Sequence, residues 1–276
     1  MKKGTDRKVV IATVLGGADR QFYIHHSGSG PGLLLIAGIE TSPVSLQARA
    51  VLFAEEGYTV LTLSEPPGPD VVRAAAADLM TQPEVTGGPL CITHGDAADA
   101  ALKAADTFLA VVTFDAHGLV DQTEVVAAAS CPVVLQFGTL AADGAAAAAE
   151  VLRARLNQTN GSRVYVWPDA APGFSLPGHR AFNRRIESLA HTRTLEIIRR
   201  VAGPYYDYEA LFAEHIRHEF ETRDVDATMA TMIDSPYVNH VATLAGGVGH
   251  DMLKRFYKYH FVDQNSRERI STTVSM

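Results

Sequence analysis

The first 200 or so residues of this 276-residue chain predict an α/β fold, a mainly parallel sheet with helices on both faces, and three observations carry it. Strand-length runs such as Leu33-Leu34-Leu35-Ile36-Ala37 are apolar throughout, without a polar alternate, so both faces of each must be covered. Helix-length patterns separate these runs, as the crossovers between parallel strands require. A length of 276 residues with 47% hydrophobic content allows a large core in one or two domains.

The elements follow in order. Residues 9–14 and 21–25 flank Gly16-Gly17 and predict an antiparallel edge hairpin. The run 33–37 is the first buried strand, followed by a helix over 46–56 and the strand Tyr58-Thr59-Val60-Leu61-Thr62-Leu63. A helix over 70–80, a strand over 90–93 and a helix over 97–105 come next. Phe108-Leu109-Ala110-Val111-Val112-Thr113-Phe114 and Pro132-Val133-Val134-Leu135-Gln136-Phe137 are two more continuous apolar strands. Helices over 144–156 and 180–200 bracket the strand Arg163-Val164-Tyr165-Val166-Trp167, and the Ala-rich start of the first is a strong helix former. The pattern changes at Gly203-Pro204, giving two segments, 1–203 and 204–276. The second is more polar and reads as helices over 208–221, 225–232 and 250–261, with a loop over 233–249 and one strand candidate at 270–275.

Charge and composition exclude several classes of function. A net charge of −7 is wrong for a nucleic-acid or anionic-membrane surface. No run of about twenty apolar residues is present to span a bilayer. Asp6 and the bases around it stand where a signal peptide needs its hydrophobic region, so a cytoplasmic protein is expected. The two cysteines, Cys91 and Cys131, fall in or beside buried strands and build no disulfide framework.

The stretch Cys91-Ile92-Thr93-His94-Gly95-Asp96-Ala97-Ala98 carries the chemistry question. A strand runs through a small-residue turn into an Ala-rich helix, the setting of a nucleophile elbow, with Thr93 and Ala97 as the small flanking residues. Gly95 stands at its centre, and glycine has no atom with which to attack. With the helix-to-strand junction Glu55-Glu56-Gly57-Tyr58-Thr59-Val60, the closing Tyr165…Pro168…Gly173-Phe174 and Arg193-Thr194-Leu195-Glu196, residues 8–200 resemble the dienelactone hydrolase (carboxymethylenebutenolidase-like) family. The resemblance implies the α/β-hydrolase fold and a Cys, Asp, His triad in that chain order. It places Gly95 at the Cys position, Ala141 at the Asp position and Pro172, just before Gly173-Phe174, at the His position. A triad works as a unit, the base taking the nucleophile's proton and the acid holding the base, so a triple replacement implies loss of the standard mechanism. In the tail, Asp224 to Met232, Pro236-Tyr237-Val238-Asn239-His240-Val241, Gly246-Gly247-Val248-Gly249 and Phe256-Tyr257-Lys258-Tyr259-His260-Phe261 resemble the start of a polyketide-cyclase-like (SnoaL-type) domain.

His94, Asp96, Asp115, His117, Asp143 and His179 fall on loops at or just after strand ends, on the edge where parallel sheets bind ligands, and Glu40 lies in the loop after the first buried strand. These seven are the ligand-binding candidates, set against a bland reading as solvated loop residues, with Asp96 as the N-cap of the following helix. His94-Gly95-Asp96 and Asp115-Ala116-His117 match no strong metal motif, and no metal or cofactor is expected. Two functions remain: a non-catalytic protein that binds a small molecule or a partner, or a hydrolase of small esters or lactones through a relocated site. Apolar stripes at Leu211, Ile216 and Phe220 and at Leu253, Phe256 and Tyr257 predict association, and a homo-oligomer formed through the C-terminal helices is expected.

Overall fold

The computed structural model describes residues 10–13, 20–24, 28–156, 160–205, 207–233, 235–242 and 244–263. The chain divides into two compact units, Met1–Tyr205 and Tyr206–Met276. The expected turn at Gly16-Gly17 and the strand candidate at 270–275 lie outside the described residues.

The first unit is built on an eight-stranded sheet, whose strands are β1 (Val10–Thr13), β2 (Arg20–Ile24), β3 (Gly30–Ile36), β4 (Thr59–Leu63), β5 (Val85–His94), β6 (Val111–Phe114), β7 (Val133–Gly138) and β8 (Arg163–Trp167). Their order is β1-β2-β4-β3-β5-β6-β7-β8. β2 pairs antiparallel with β1 and with β4, and every other pairing is parallel. The helices are α1 (Pro43–Glu55), α2 (Pro69–Met80), α3 (Ala98–Lys103), α4 (Thr123–Ala127), α5 (Ala145–Arg155) and α6 (Arg184–Ala202).

The continuous apolar strands split their side chains between two cores. Leu33 and Leu35 pack with Phe53 of α1 and Ile198 of α6, while Leu34 and Ile36 pack with Leu79 of α2 and Leu152 of α5. Both faces of β3 are therefore dry, which is why its sequence shows no alternation. Gln136 is a buried polar residue on a central strand. Its amide donates to the Ala190 carbonyl at 3.0 Å and to Thr194 Oγ1 at 2.9 Å, and it accepts from Trp167 Nε1 at 3.1 Å, so it is fully engaged in tying α6 to the sheet.

Several expected boundaries shift. The strand expected over 90–93 begins at Val85, and that expected over 108–114 begins at Val111. The helix over 97–105 keeps α-geometry only in Ala98–Lys103, with 3₁₀ turns at Gly95–Ala97 and Ala105–Thr107. Sequence reading missed the 3₁₀ turn His117–Gln122 and α4, which are too short for a helical period to register.

The second unit holds α7 (Tyr208–Ile216), α8 (Val225–Ala230), β9 (Tyr237–His240), β10 (Ala245–Val248) and α9 (His250–Phe256). Two π-helical turns, Arg217–Thr222 and Tyr257–Val262, follow α7 and α9. The loop expected over 233–249 is instead an antiparallel hairpin, so this segment is not purely helical. Its strands contain Gly246 and Gly247, which hid the pattern: the ideal Cβ of Gly246 would fall 2.0 Å from the Val238 carbonyl oxygen. The core of this unit is small, with Met229, Leu253, Phe256 and Tyr257 buried.

Candidate functional site

Chain direction across the sheet reverses at β3: the connection through α1 leads to β4 on one side, and the next, through α2, leads back to β5 on the other. Loops after β3 and β5 therefore part at the carboxyl edge, where open α/β sheets bind ligands. Gly95 turns the chain out of β5 with φ +55°, the left-handed region a strand-to-helix elbow demands. A Cβ built on Gly95 meets nothing within 4 Å, so the space in which a nucleophile would stand is open. Gly38 opposite is the reverse case, because its ideal Cβ would fall 2.3 Å from the His94 carbonyl oxygen. Glycine at 38 lets the loop after β3 close onto the end of β5.

That approach brings Ile39 to Asp96. The Ile39 N–H donates to Asp96 Oδ1 at 2.9 Å, and the neighbouring Gly38 N–H donates to Thr41 Oγ1 at 3.1 Å. Asp96 is therefore not the N-cap expected of it: α3 starts without a side-chain cap. In an α/β-hydrolase elbow, an N–H from the loop after the third strand is one of the two oxyanion donors. In this chain the Ile39 N–H of the loop after β3 donates to a carboxylate.

Asp115 follows β6 in a left-handed conformation, φ +53°. Its Oδ1 accepts from Gly138 N–H and its Oδ2 from Gly173 N–H, both at 2.8 Å. One carboxylate thus joins the loop carrying Ala141 to the loop carrying Pro172. The two loops also bond directly, Leu140 N–H to the Ala170 carbonyl at 2.9 Å. Burial pushes the Asp115 carboxyl up to about 6 against the pull of its two backbone donors, and the charge of Glu40 adds to the rise. Ala141 is itself left-handed, φ +53°.

None of the histidines at this edge offers a free base. His94 is 3% exposed, stacked on Phe114 at 5.2 Å, and held down to about 3 by burial and by the charge of Arg49. His117 tilts against Phe137 at 5.2 Å, and burial lowers its pKa. Its ring nitrogens are closed to solvent and make no hydrogen bond among the described residues. A shallow cavity of about 370 Å³ lies beside it, lined also by Val120, Ala142, Asp143 and Ala145. His117 gives this cavity a wall rather than a polar contact. His179 packs on Gly173, whose ideal Cβ would meet its Nδ1 at 2.3 Å. That Nδ1 accepts from Ala181 N–H at 3.1 Å, which leaves the ring proton on Nε2, 4.0 Å from Glu40 Oε2. The structure thus links Asp96 to the loop before Glu40, Asp115 to both flanking loops, and His179 to Glu40. Asp143 stands apart at the cavity rim.

Cys91 offers no substitute nucleophile. It is fully buried in β5, and burial raises its thiol well above the ordinary value, while Cys131 is pushed up to about 11. No group of three or more His, Cys, Asp or Glu side chains suited to a metal occurs among the described residues. No helix among them is long and apolar enough to cross a membrane.

Sequence reasoning missed Arg49, which is 1% exposed beneath this edge. Its guanidinium lies 5.0 Å from the Phe53 ring and 5.1 Å from the Phe114 ring and pairs with Glu187 at 2.5 Å. An arginine four residues before Phe53 on α1 was the available signal, since it interrupts the apolar face of the helix.

No family model matches the chain, and no curated protein matches it in sequence. Solved structures do match in fold. A dienelactone hydrolase-like promiscuous phosphotriesterase from metagenomic libraries superposes with a TM-score of 0.55 at 17% identity, over 67% of this chain and 92% of its own. The esterase domain of a Rhodothermus marinus protein gives 0.52 at 17% identity, over 67% and 93%. The first unit has the α/β-hydrolase fold, and its structural neighbours are dienelactone hydrolase-like proteins and esterases.

Proposed function

We propose that this chain is a dienelactone hydrolase-like protein that has lost ester chemistry and uses the α/β-hydrolase scaffold to bind a small molecule or a partner. One observation carries the reading: beside the open elbow at Gly95, the carboxylate of Asp96 accepts the Ile39 N–H. A tetrahedral oxyanion needs donors at that position, and a fixed negative charge there opposes it. Ala141 and Pro172, at the acid and base positions the resemblance assigns, add no titratable group. His179, the nearest histidine to Pro172 in the loop, has its Nδ1 lone pair engaged by Ala181.

Aryl-ester turnover tests the reading. The purified chain is expected to hydrolyse a 4-nitrophenyl ester no faster than buffer, with or without a thiol reagent or a serine-directed phosphonate. Turnover abolished by the thiol reagent would restore a cysteine hydrolase, and turnover abolished by the phosphonate a relocated serine site. Either result overturns the proposal in favour of an active hydrolase of small esters or lactones.

We also propose that the chain forms a homo-oligomer through its C-terminal helices. The support is α7, which buries none of its residues and exposes Tyr208, Leu211 and Phe212. Contiguous apolar exposure of this kind marks association sites. Light scattering is expected to give a mass above that of one chain, reduced to one chain by Leu211→Asp with Phe212→Asp. A monomeric wild type removes this proposal.

A further inference from the structure

His215 lies near the end of α7, and Glu219 is one turn further on, in the π-helical turn Arg217–Thr222. Such turns are rare and collect at functional sites. The second π-helical turn, Tyr257–Val262, brings Tyr257 to the same place, its ring edge-on to His215 at 6.3 Å. The Thr231 hydroxyl donates to the Thr228 carbonyl at 2.6 Å, so toward His215 Nδ1, also 2.6 Å away, it can only accept. The imidazole therefore carries its proton on Nδ1 and turns the lone pair of Nε2 to Glu219 Oε2, 3.4 Å away. These side chains are 16% and 9% exposed. A carboxylate facing a lone pair is repulsive, whereas a carboxyl O–H, or an imidazolium beside a carboxylate, is attractive. Geometry thus calls for one shared proton.

We infer that the C-terminal unit is a proton-gated module, in which a single proton held between Glu219 and His215 keeps α7, α8 and α9 packed. The surrounding charges fit this role. On the same turn, His218 Nε2 accepts from Arg217 at 3.1 Å and lies 3.4 Å from Glu214, and a positive charge on His218 disfavours one on His215. From α8 and its C-terminal cap come the neutral Thr228 and Thr231, while Asp226 is held by Lys254 of α9 at 2.6 Å. Tyr257 is raised to about 12, by burial first and then by the charge of Glu219.

Burial raises Glu219 to about 7 from its ordinary 4.5, and burial lowers His215 from 6.5. The raised carboxyl stabilises the folded unit fully below 4.5, and that contribution is lost as pH rises through about 7. The depressed His215 works the other way, favouring the fold as pH rises, and its contribution is complete above 6.5. Above 6.5 only the loss at Glu219 remains, and it leaves a carboxylate beside Tyr257 in the small core.

The test uses the full chain. Imidazole ¹⁵N spectra at neutral pH are expected to show His215 in the Nδ1–H form or sharing its second proton. Amide-exchange protection of α7, α8 and α9, corrected for intrinsic rates, should fall a few-fold between about pH 6.5 and about pH 8. Glu219→Gln, which keeps the hydrogen bond without a titrating group, should abolish that fall. An Nε2–H tautomer, protection independent of pH in the wild type, or an unchanged fall in the variant would each overturn the inference. If the variant fails to fold, the wild-type tautomer and pH profile decide.

Discussion

Installing a triad at the three positions that the resemblance assigns, by Gly95→Cys, Ala141→Asp and Pro172→His, is expected to leave turnover of an activated ester close to background until Asp96 is also changed. Gly95→Cys alone supplies a thiol that is mostly protonated at neutral pH without a base. The triple variant supplies base and acid, and the site has room for the sulfur, since nothing lies within 4 Å of a Cβ at position 95. What remains is the carboxylate of Asp96 on the Ile39 N–H. Adding Asp96→Ala frees that donor, and one oxyanion donor is worth about 100-fold or more in rate. The quadruple variant should therefore exceed the triple by about two orders of magnitude in kcat. A triple variant already as fast as the quadruple would show that Asp96 does not block the elbow. Inactivity of both would mean that the cleft no longer admits an ester.

The largest expected loss of stability comes from beneath the site. Glu187→Ala removes the partner of a guanidinium that is 1% exposed and lies close to the Phe53 and Phe114 rings. Burial alone already lowers the pKa of Arg49, and Glu187 is what counters it. Leaving that charge buried and unpaired is expected to cost about 3–5 kcal/mol. Replacing both groups, Arg49→Met with Glu187→Leu, should recover most of the loss, because an apolar pair needs no desolvation. Trp167, the only tryptophan, sits on β8 of the same unit and reports its urea unfolding by fluorescence. A Glu187→Ala variant with an unchanged midpoint would show that solvent or another group takes over the charge.

Much of the first unit was legible in the sequence. Arg163–Trp167 has the bounds its residues predict, and the helix over 70–80 differs from α2 by one residue at its start. A strand buried on both faces is apolar at nearly every position, and that signature is local. The turn at Gly95 was legible too, because an apolar strand, small residues and an Ala-rich helix follow one another there. The C-terminal hairpin was not: Ala245-Gly246-Gly247-Val248 has the composition of a loop, and β9 with β10 forms only because Gly246 passes so close to Val238.

Chemistry at the edge divides along the same line. From the residues alone, a glycine stands at the expected elbow and several acids and histidines fall at the strand ends. Which of them meet depends on strand order. Ile39 and Asp96 are 57 residues apart and touch because β3 and β5 are neighbours with Gly38 between them. Asp115 reaches Gly138 and Gly173, 23 and 58 residues away, because β6, β7 and β8 lie side by side. Arg49 and Glu187 are 138 residues apart on two helices that cover one face of the sheet. Propensity and periodicity are short-range properties of a chain and determine its elements. A hydrogen bond or a buried ion pair between distant residues exists only once the sheet has assembled, and only there were the donor, the carboxylate and the engaged histidine of this site decided.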